Sequence, residues 1–165
     1  NDGKGRVRPR RERRCQLKQI ARDMVESVAQ TLGSRELAIR AVRAVLRYFG
    51  GQLIYFPSTR ESSKHLDQLR GVVADEIGDA DAGRFIAAWT RFFGGGQMYV
   101  PLEHVAFRDE IADEIYRRYN GSMETMSDLC REHRTSYVQI YRLYHHGRGR
   151  VLTRKTDLFD DATSD

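Results

Sequence analysis

One nine-residue phrase occurs twice in this chain, and the repeat constrains the fold more than any other feature of the sequence. FGGQLIYFP begins at Phe49, and FGGGQMYVP begins 44 positions later at Phe93. Phenylalanine, two glycines, tyrosine and proline recur at the same offsets. Glycines end helices readily because they adopt left-handed dihedral angles at little cost. Each phrase therefore predicts a helix end, a short strand and a proline stop.

Apolar residues at helical spacing precede each copy of the phrase. Gly33 and Ser34 have the chemistry of a helix stop and a helix cap between the first two of these stretches. The sequence thus predicts a mainly α fold in which the unit helix, helix, Gly-Gly, strand, Pro is duplicated. Two copies are too few for a solenoid, which needs about three or more. The apolar positions of the predicted helices span residues 17–32, 38–49, 66–77 and 85–93, and the predicted strands are residues 53–56 and 97–100.

The two predicted strands are too short to stand alone, because an isolated strand pair is marginal in water. They have two ways to pair. They pair within the chain about a local pseudo-dyad, or each pairs with its equivalent in a second chain. Residues 16–101 are accordingly predicted to form a dimerisation region with helices and short strands.

Charge is unevenly distributed along the chain, although the formal net charge is only +5. Residues 1–15 are rich in arginine and have no apolar pattern, which predicts a disordered basic arm. Such an arm suits a polyanion such as nucleic acid, or serves only as a solubilising tail. Residues 151–165 end in an acidic stretch and are predicted to be a flexible tail.

The composition argues against several other classes of protein. No apolar run approaches the roughly 20 residues that a membrane helix requires, and no secretory signal is visible. Two cysteines do not make a disulfide framework. We therefore expect an intracellular, cytoplasmic protein with no membrane partner.

The C-terminal third has the spacing of a helix-turn-helix within a predicted domain at residues 102–150. A long helix is predicted over residues 103–119, followed by a short helix, a corner at residues 133–135 and a helix capped by Ser136. Ile140 and Leu143 lie three apart on the inner face of that last helix, and Cys130 lies ten residues before Ile140. An ordinary αα-hairpin with a charged outer face is the alternative.

The outer face of the last predicted helix carries side chains suited to DNA. Glutamine binds adenine, arginine binds guanine and valine contacts the thymine methyl group. Serine and arginine at a helix start more naturally meet phosphate, and a basic flank adds further phosphate contacts. The candidate DNA-binding residues here are Arg134, Ser136, Tyr137, Val138, Gln139, Tyr141, Arg142, His145, Arg148 and Arg150.

No enzymatic constellation stands out, and we expect neither a metal nor another cofactor. Cys130 and His133 could be written as part of a zinc set with His145 and His146, but the spacing is not that of known zinc sites. No phosphate-binding lysine follows either glycine cluster, so nucleotide binding has no support.

The second half of the chain, at about residues 80–148, resembles the Mor/C family of transcription activators from Mu-like phages. The resemblance rests on GGGQMYVP, then a helix, then NG, then SDLCREHRTSYVQIYRLY. It implies a homodimeric activator of phage middle or late promoters whose strand residues, here Gln97 and Tyr99, approach the minor groove. It further implies recruitment of the host RNA polymerase through its α C-terminal domain and σ subunit. The corner departs from the commonest pattern, which has glycine where Arg134 stands.

The partners predicted from the sequence are promoter DNA, the host polymerase and a second copy of the chain. A homodimer is expected because a palindromic site needs two recognition helices about 34 Å apart. A repressor would bind DNA in the same way, and a non-enzymatic adaptor would use the helices to dock a protein. The residues alone do not separate these alternatives.

Overall fold

A computed structural model of the chain describes residues 10–58 and 63–161. In that part of the chain the fold is mainly helical, as predicted, with eight helices and one two-stranded antiparallel sheet. The elements are, in order, α1 (Arg10–Leu32), α2 (Arg35–Phe49), β1 (Gln52–Phe56), α3 (Lys64–Ile77), α4 (Asp79–Phe93), β2 (Gly96–Val100), α5 (Glu103–Ala106), α6 (Arg108–Arg118), α7 (Met123–Glu132) and α8 (Tyr137–Asp161).

The chain divides into two compact units, one up to Ala106 and one from Phe107 onward. The first unit holds α1 to α5 and the sheet, and the order helix, helix, strand occurs in it twice. The second unit holds α6, α7 and α8.

Glycine ends the helices of the first unit where the sequence indicates. Gly33 has φ 71° after α1, and Gly78 has φ 86° between α3 and α4. The Ser34 hydroxyl accepts a hydrogen bond from the Leu37 amide at 3.3 Å and caps α2. Ser63 stands at the corresponding position before α3, but its side chain makes no capping hydrogen bond.

The core of the first unit is centred on Trp89, whose side chain is fully buried. Its ring stacks on Phe85 at 5.2 Å and meets the edge of Phe56 at 5.7 Å. Phe85 and Trp89 belong to α4, whereas Phe56 belongs to β1. The second helix–helix–strand segment therefore completes its core with a side chain from the first.

The two strands pair with each other within the chain. Ile54 pairs with Met98 at the centre of this antiparallel ribbon. One face of the ribbon, with Ile54, Phe56 and Val100, is buried against the helices. The other face carries Leu53, Tyr55, Gln97 and Tyr99, all exposed to solvent. Of the two pairings left open by the sequence, the structure has the one inside the chain.

The prediction of one long helix over residues 103–119 is wrong, because the helix is interrupted at Phe107. Phe107 has φ −110° and ψ 36°, outside the helical region, and it separates α5 from α6. Glu103 is buried among arginines of the first unit, whereas Ile111 and Ile115 are buried in the second unit. Apolar spacing alone did not reveal that the two ends of the segment pack in different units.

Both terminal helices extend into segments that were expected to lack structure. Helix α1 begins at Arg10, inside the predicted arm, and α8 continues to Asp161, inside the predicted tail. Arginine, glutamate and leucine favour helix, and an already nucleated helix extends at little further cost. The remaining residues of the predicted arm, 1–9, and of the predicted tail, 162–165, lie outside the described part of the chain.

Across residues 10–58 and 63–161, no helix combines the length and apolar character needed to cross a membrane.

Candidate nucleic-acid interface

Helix α7 starts at a serine cap and packs one face into the second unit. The Ser122 hydroxyl accepts a hydrogen bond from the Thr125 amide at 3.1 Å, and the Asn120 side chain accepts one from the Ser122 amide at 2.9 Å. Met126 and Leu129 are fully buried. The cap fixes where the helix begins, and the two apolar side chains fix which face turns inward.

A Schellman turn connects α7 to α8. The Thr135 amide donates to the Cys130 carbonyl at 3.0 Å, and the Arg134 amide donates to the Arg131 carbonyl at 3.3 Å. These are the two hydrogen bonds that define the motif. Arg134 has φ 47°, in the left-handed region that usually holds glycine. The corner therefore has the backbone of a glycine-containing turn, with a cationic side chain on it.

The first turn of α8 is fixed from both sides. The Ser136 hydroxyl accepts a hydrogen bond from the Gln139 amide at 3.3 Å, so Ser136 caps the helix as predicted. Ile140 and Leu143 are fully buried. Burial on one face sets the rotation of α8 about its own axis and hence which residues remain outside.

The residues that remain outside at the start of α8 are mostly those that carry the candidate chemistry. Tyr137 is 45% exposed, Val138 58% and Tyr141 43%. Arg142 is exposed and Gln139 is half-buried. A helix with two exposed turns of this composition can present amide, guanidinium and methyl groups to the edges of base pairs.

Cations continue along α8 beyond these turns. Between Tyr137 and Arg154 the helix contains no aspartate or glutamate. The side chains of Arg142 and Arg148 are exposed and make no hydrogen bond or ion pair with the described residues. His145 is also exposed, and its ring packs against Tyr144 at 5.5 Å. These groups are available to meet phosphate.

Arg150 differs from the other candidate cations because two carboxylates of α6 hold it. Its Nε donates to Asp113 Oδ1 at 3.0 Å, and it also lies 3.5 Å from Asp109. His146 contacts Asp109 at 2.8 Å, and Arg154 contacts Asp113 at 3.2 Å. Burial acts to raise the pKa of Asp113, but hydrogen bonds and positive charge from the two arginines lower it overall. The side chains on this side of α8 therefore form an ion-pair cluster within the second unit.

Helices α6 and α8 are in close backbone contact at Gly147. A Cβ atom at this position would lie 2.1 Å from the Ala112 carbonyl oxygen and 3.0 Å from Tyr116 Cβ. Only a residue without a side chain allows this separation. Gly147 thereby sets the depth at which α8 rests on α6.

Tyrosines brace the exposed start of α8. The hydroxyls of Tyr119 and Tyr141 lie 3.3 Å apart, and this hydrogen bond raises the pKa of Tyr119. Tyr119 also meets Tyr144 edge to face at 5.3 Å. The Tyr137 hydroxyl lies 3.0 Å from the Ser127 hydroxyl of α7. Two of the candidate DNA-binding tyrosines are thus oriented by neighbours, Tyr141 by Tyr119 at the end of α6 and Tyr137 by Ser127 of α7.

A group of possible metal ligands lies on the second unit, where Glu114, Glu132 and His133 offer atoms within 4.8 Å of one another. Arg118 bonds to Glu114 at 3.2 Å and to Glu132 at 2.7 Å, so one guanidinium already occupies both carboxylates. Burial raises the pKa of the Cys130 thiol, which keeps it protonated. We therefore interpret Cys130 and His133, the pair considered in the sequence, as residues that pack within the second unit.

Gln97 and Tyr99, the remaining candidates, lie on the solvent face of the ribbon in the first unit. Tyr99 is 42% exposed and pairs across the ribbon with Leu53. Gln97 pairs with Tyr55. The first copy of the phrase thus contributes to the same face as the second, although the sequence singled out only the second copy for DNA.

Sequence reasoning missed the residues that hold α8 in place. Asp109 and Asp113 are four apart, as are their partners His146 and Arg150, and this matched spacing was a usable signal. Gly147 gave the weaker signal of a glycine inside a helical pattern, which often marks close packing.

Comparison with known proteins places this chain in a family. The sequence profile of the Mor transcription activator family matches residues 58–157. The match contains α3, α4 and β2 together with α5 to α7 and most of α8, whereas α1, α2 and β1 lie before it. No curated protein and no solved structure matches the chain. Because the profile covers more than half of the chain, this protein belongs to the Mor transcription activator family.

Proposed function

We propose that this protein is a sequence-specific DNA-binding activator of phage middle or late promoters, and that α7 and α8 form its helix-turn-helix. The observation that supports this most strongly is the division of α8 into a buried and an exposed face. Ile140 and Leu143 are fully buried while Tyr137, Val138 and Arg142 face solvent. In this proposal the start of α8 enters the major groove.

The exposed side chains divide into two roles. Gln139 and Arg142 read base edges, and Val138 contacts a thymine methyl group. Arg134 and Arg148 contact phosphates, where charge matters more than sequence. The remaining candidates on this surface are Ser136, Tyr137, Tyr141 and His145.

Two sets of predicted DNA contacts have less structural support. Arg150 is held by Asp109 and Asp113, so a phosphate would have to compete with two carboxylates. Gln97 and Tyr99 are exposed on the ribbon, and their proposed approach to the minor groove rests on the family resemblance alone.

Activation is proposed to proceed by recruitment of the host RNA polymerase through its α C-terminal domain and σ subunit. Family membership favours activation over repression, which would use the same DNA contacts to block polymerase. The protein would act where its promoter lies, in the bacterial cytoplasm. The homodimer implied by the family resemblance has less support, because the strands that were expected to fix it pair within one chain.

The test begins with selection of a preferred duplex from random sequences, followed by binding titrations of the full chain. Arg142→Ala and Gln139→Ala should each lower the preference for the selected duplex over random DNA by about 5- to 150-fold, since one bidentate base contact contributes about 1–3 kcal/mol of discrimination. Affinity for random DNA should fall much less. A salt series should show a steep loss of affinity, because phosphate contacts release counterions.

Arg117→Ala is the matched control, because it removes the same charge from an exposed position on α6. It should leave the preference between selected and random DNA unchanged. If Arg142→Ala and Arg117→Ala behave alike, α8 is not the reading helix. A binding constant that does not change with salt would favour the adaptor, and transcription in vitro on the selected site would separate activator from repressor.

A further inference from the structure

We propose that the first unit is a closed pseudo-dimer made from one chain, so that the protein is a monomer and reads a single DNA half-site without two-fold symmetry. The half-site rests on the proposed function, whereas the closed pseudo-dimer rests on the first unit alone.

The ribbon is centred on a pair of equivalent residues. The 44-residue offset of the repeated phrase places Ile54 on Met98, and these two residues pair directly. Pairs further out exchange when the two copies are interchanged. A two-fold axis relating the copies therefore passes through the Ile54–Met98 pair. The other pairs are Gln52–Val100, Leu53–Tyr99, Tyr55–Gln97 and Phe56–Gly96.

Hydrogen bonds at the two ends of the ribbon obey the same axis. The Gly51 amide donates to the Val100 carbonyl, and the Gly95 amide donates to the Phe56 carbonyl, both at 2.7 Å. Gly51 and Gly95 are equivalent in the repeat, as are Phe56 and Val100. Each glycine has a positive φ, 84° and 83°, so the turn into each strand is also the same.

The helices around the ribbon pack both within their own copy and against the other copy. Helix α1 packs against α2 and α4, and α3 packs against α4 and α2. Arg40 of α2 donates to the Glu76 carbonyl near the end of α3, and its equivalent, Arg84 of α4, donates to the Thr31 carbonyl near the end of α1. Each copy thus packs on its own neighbour and reaches across to the other copy.

Because of these contacts between the copies, the core of the first unit is complete within one chain. Trp89 of the second copy is buried partly by Phe56 of the first. Both strands find their partner in the same chain. A single copy would expose these surfaces and would need a second chain, but the duplicated chain supplies them itself.

The two copies differ in the segments attached to their C-terminal ends. Helices α5 to α8 come after the second copy only, and the family match also contains only that copy. Arg43 and Arg47 hold the buried Glu103 of α5, with nitrogen–oxygen distances of 2.9 and 3.1 Å. The position equivalent to Arg43 is Ala87, so the other copy lacks this pair of arginines. The core of the first unit therefore has two related halves, but the chain has one α8.

Cross-linking across the ribbon tests the closed core without DNA. Directly opposed antiparallel residues have Cα separations that a disulfide can bridge. Leu53→Cys with Tyr99→Cys places a thiol on each strand at exposed positions, in a full chain whose Cys15 and Cys130 are replaced by serine and alanine. Oxidation should give one 19.1 kDa species with no free thiol at every protein concentration. Each single-cysteine variant should keep its thiol.

A covalent dimer from the double variant would show that the strands pair between chains and would overturn the proposal. Failure to form any disulfide would overturn the register on which it rests. Light scattering on the unmodified chain should likewise give a mass of one chain, and a mass of two would contradict a monomer.

Stoichiometry on DNA tests the half-site. A duplex with one selected half-site should bind one chain, and a duplex with two inverted half-sites should bind two chains independently, with affinities within about twofold. Cooperative binding of two chains, at least tenfold tighter than to one half-site, would keep the proposed function and overturn the proposed monomer. Absence of binding to either duplex would overturn the half-site and the proposed function together, while the cross-link would still decide the closed core.

Discussion

The crossing of α6 and α8 at Gly147 makes a sharp prediction about stability. In Gly147→Ala the new Cβ would lie 2.1 Å from the Ala112 carbonyl oxygen, whereas ordinary contacts begin near 3.4 Å. Helix α8 must therefore shift by roughly 1 Å or more away from α6 or distort locally. Overpacking of this kind costs about 1–3 kcal/mol. Because the obstacle here is a backbone atom and not a movable side chain, we expect the upper part of that range, about 2–3 kcal/mol. Alanine returns about 0.8–1 kcal/mol through its higher helix propensity, so we expect a net loss of about 1–2 kcal/mol.

Such a loss is large for a unit of this size. Stability of roughly 0.05–0.15 kcal/mol per residue gives the second unit only about 3–9 kcal/mol. Hydrogen exchange read by mass spectrometry measures the effect by region. Amides of α6 and α8 should exchange faster in Gly147→Ala, and amides around Trp89 in the first unit should be unchanged.

Gly149→Ala is the matched control in the same helix. Nothing lies within 4 Å of a Cβ built there, so only the propensity gain remains and the second unit should become more stable by up to about 1 kcal/mol. The two variants should differ by roughly 2–3 kcal/mol. Equal protection in the two variants would refute the close crossing and, with it, the account of how α8 is held.

Three further predictions concern the turn, the cap and the ion pairs. Arg134 has a left-handed backbone conformation that costs a residue other than glycine about 1–2 kcal/mol, and Arg134→Gly removes this cost. Glycine also makes the unfolded chain more flexible, which costs about 0.4–1 kcal/mol of stability. The urea midpoint should therefore hold or rise while DNA affinity falls; a lower midpoint would contradict the turn geometry. Ser136→Ala should cost about 1 kcal/mol in urea unfolding, and Ser63→Ala, which removes no capping hydrogen bond, should cost much less. The lowered pKa of Asp113 stabilises the fold above the ordinary value near 3.9, and that contribution is lost as pH falls through the lower folded value. Asp113→Asn should therefore be less stable than the parent in urea unfolding at pH 7, and a gap that persists at pH 2 would show that the carboxylate charge is not responsible.

The helix boundaries and the inner positions of α8 could be predicted because they depend on local chemistry. Gly33 and Gly78 end helices by conformations that glycine adopts easily, and Ser34 and Ser136 cap them. Ile140 and Leu143 lie on one helical face, and both are fully buried.

The features that could not be predicted depend on contacts between distant segments. The break at Phe107 separates a carboxylate held by arginines of the first unit from isoleucines buried in the second, and the local sequence does not show which distant residues each side contacts. Arg150 looked like a free cation beside a recognition helix because Asp109 and Asp113 lie 37 or more positions earlier in the chain. Sequence spacing gives the face of a helix but not the identity of the residues that cover it.

The strand pairing shows the same limit and also explains why two copies of the phrase are useful. A single copy contains one short strand and an incompletely covered Trp89, and two-stranded ribbons need helical packing to persist in water. A partner chain could supply the missing half, but then the fold would depend on protein concentration. In the proposed closed core, the first copy supplies the second with a partner strand and Phe56 at a fixed effective concentration, so the core would form at any dilution. In the proposed monomer, the repeat serves the stability of the scaffold, and the chain needs only one recognition helix.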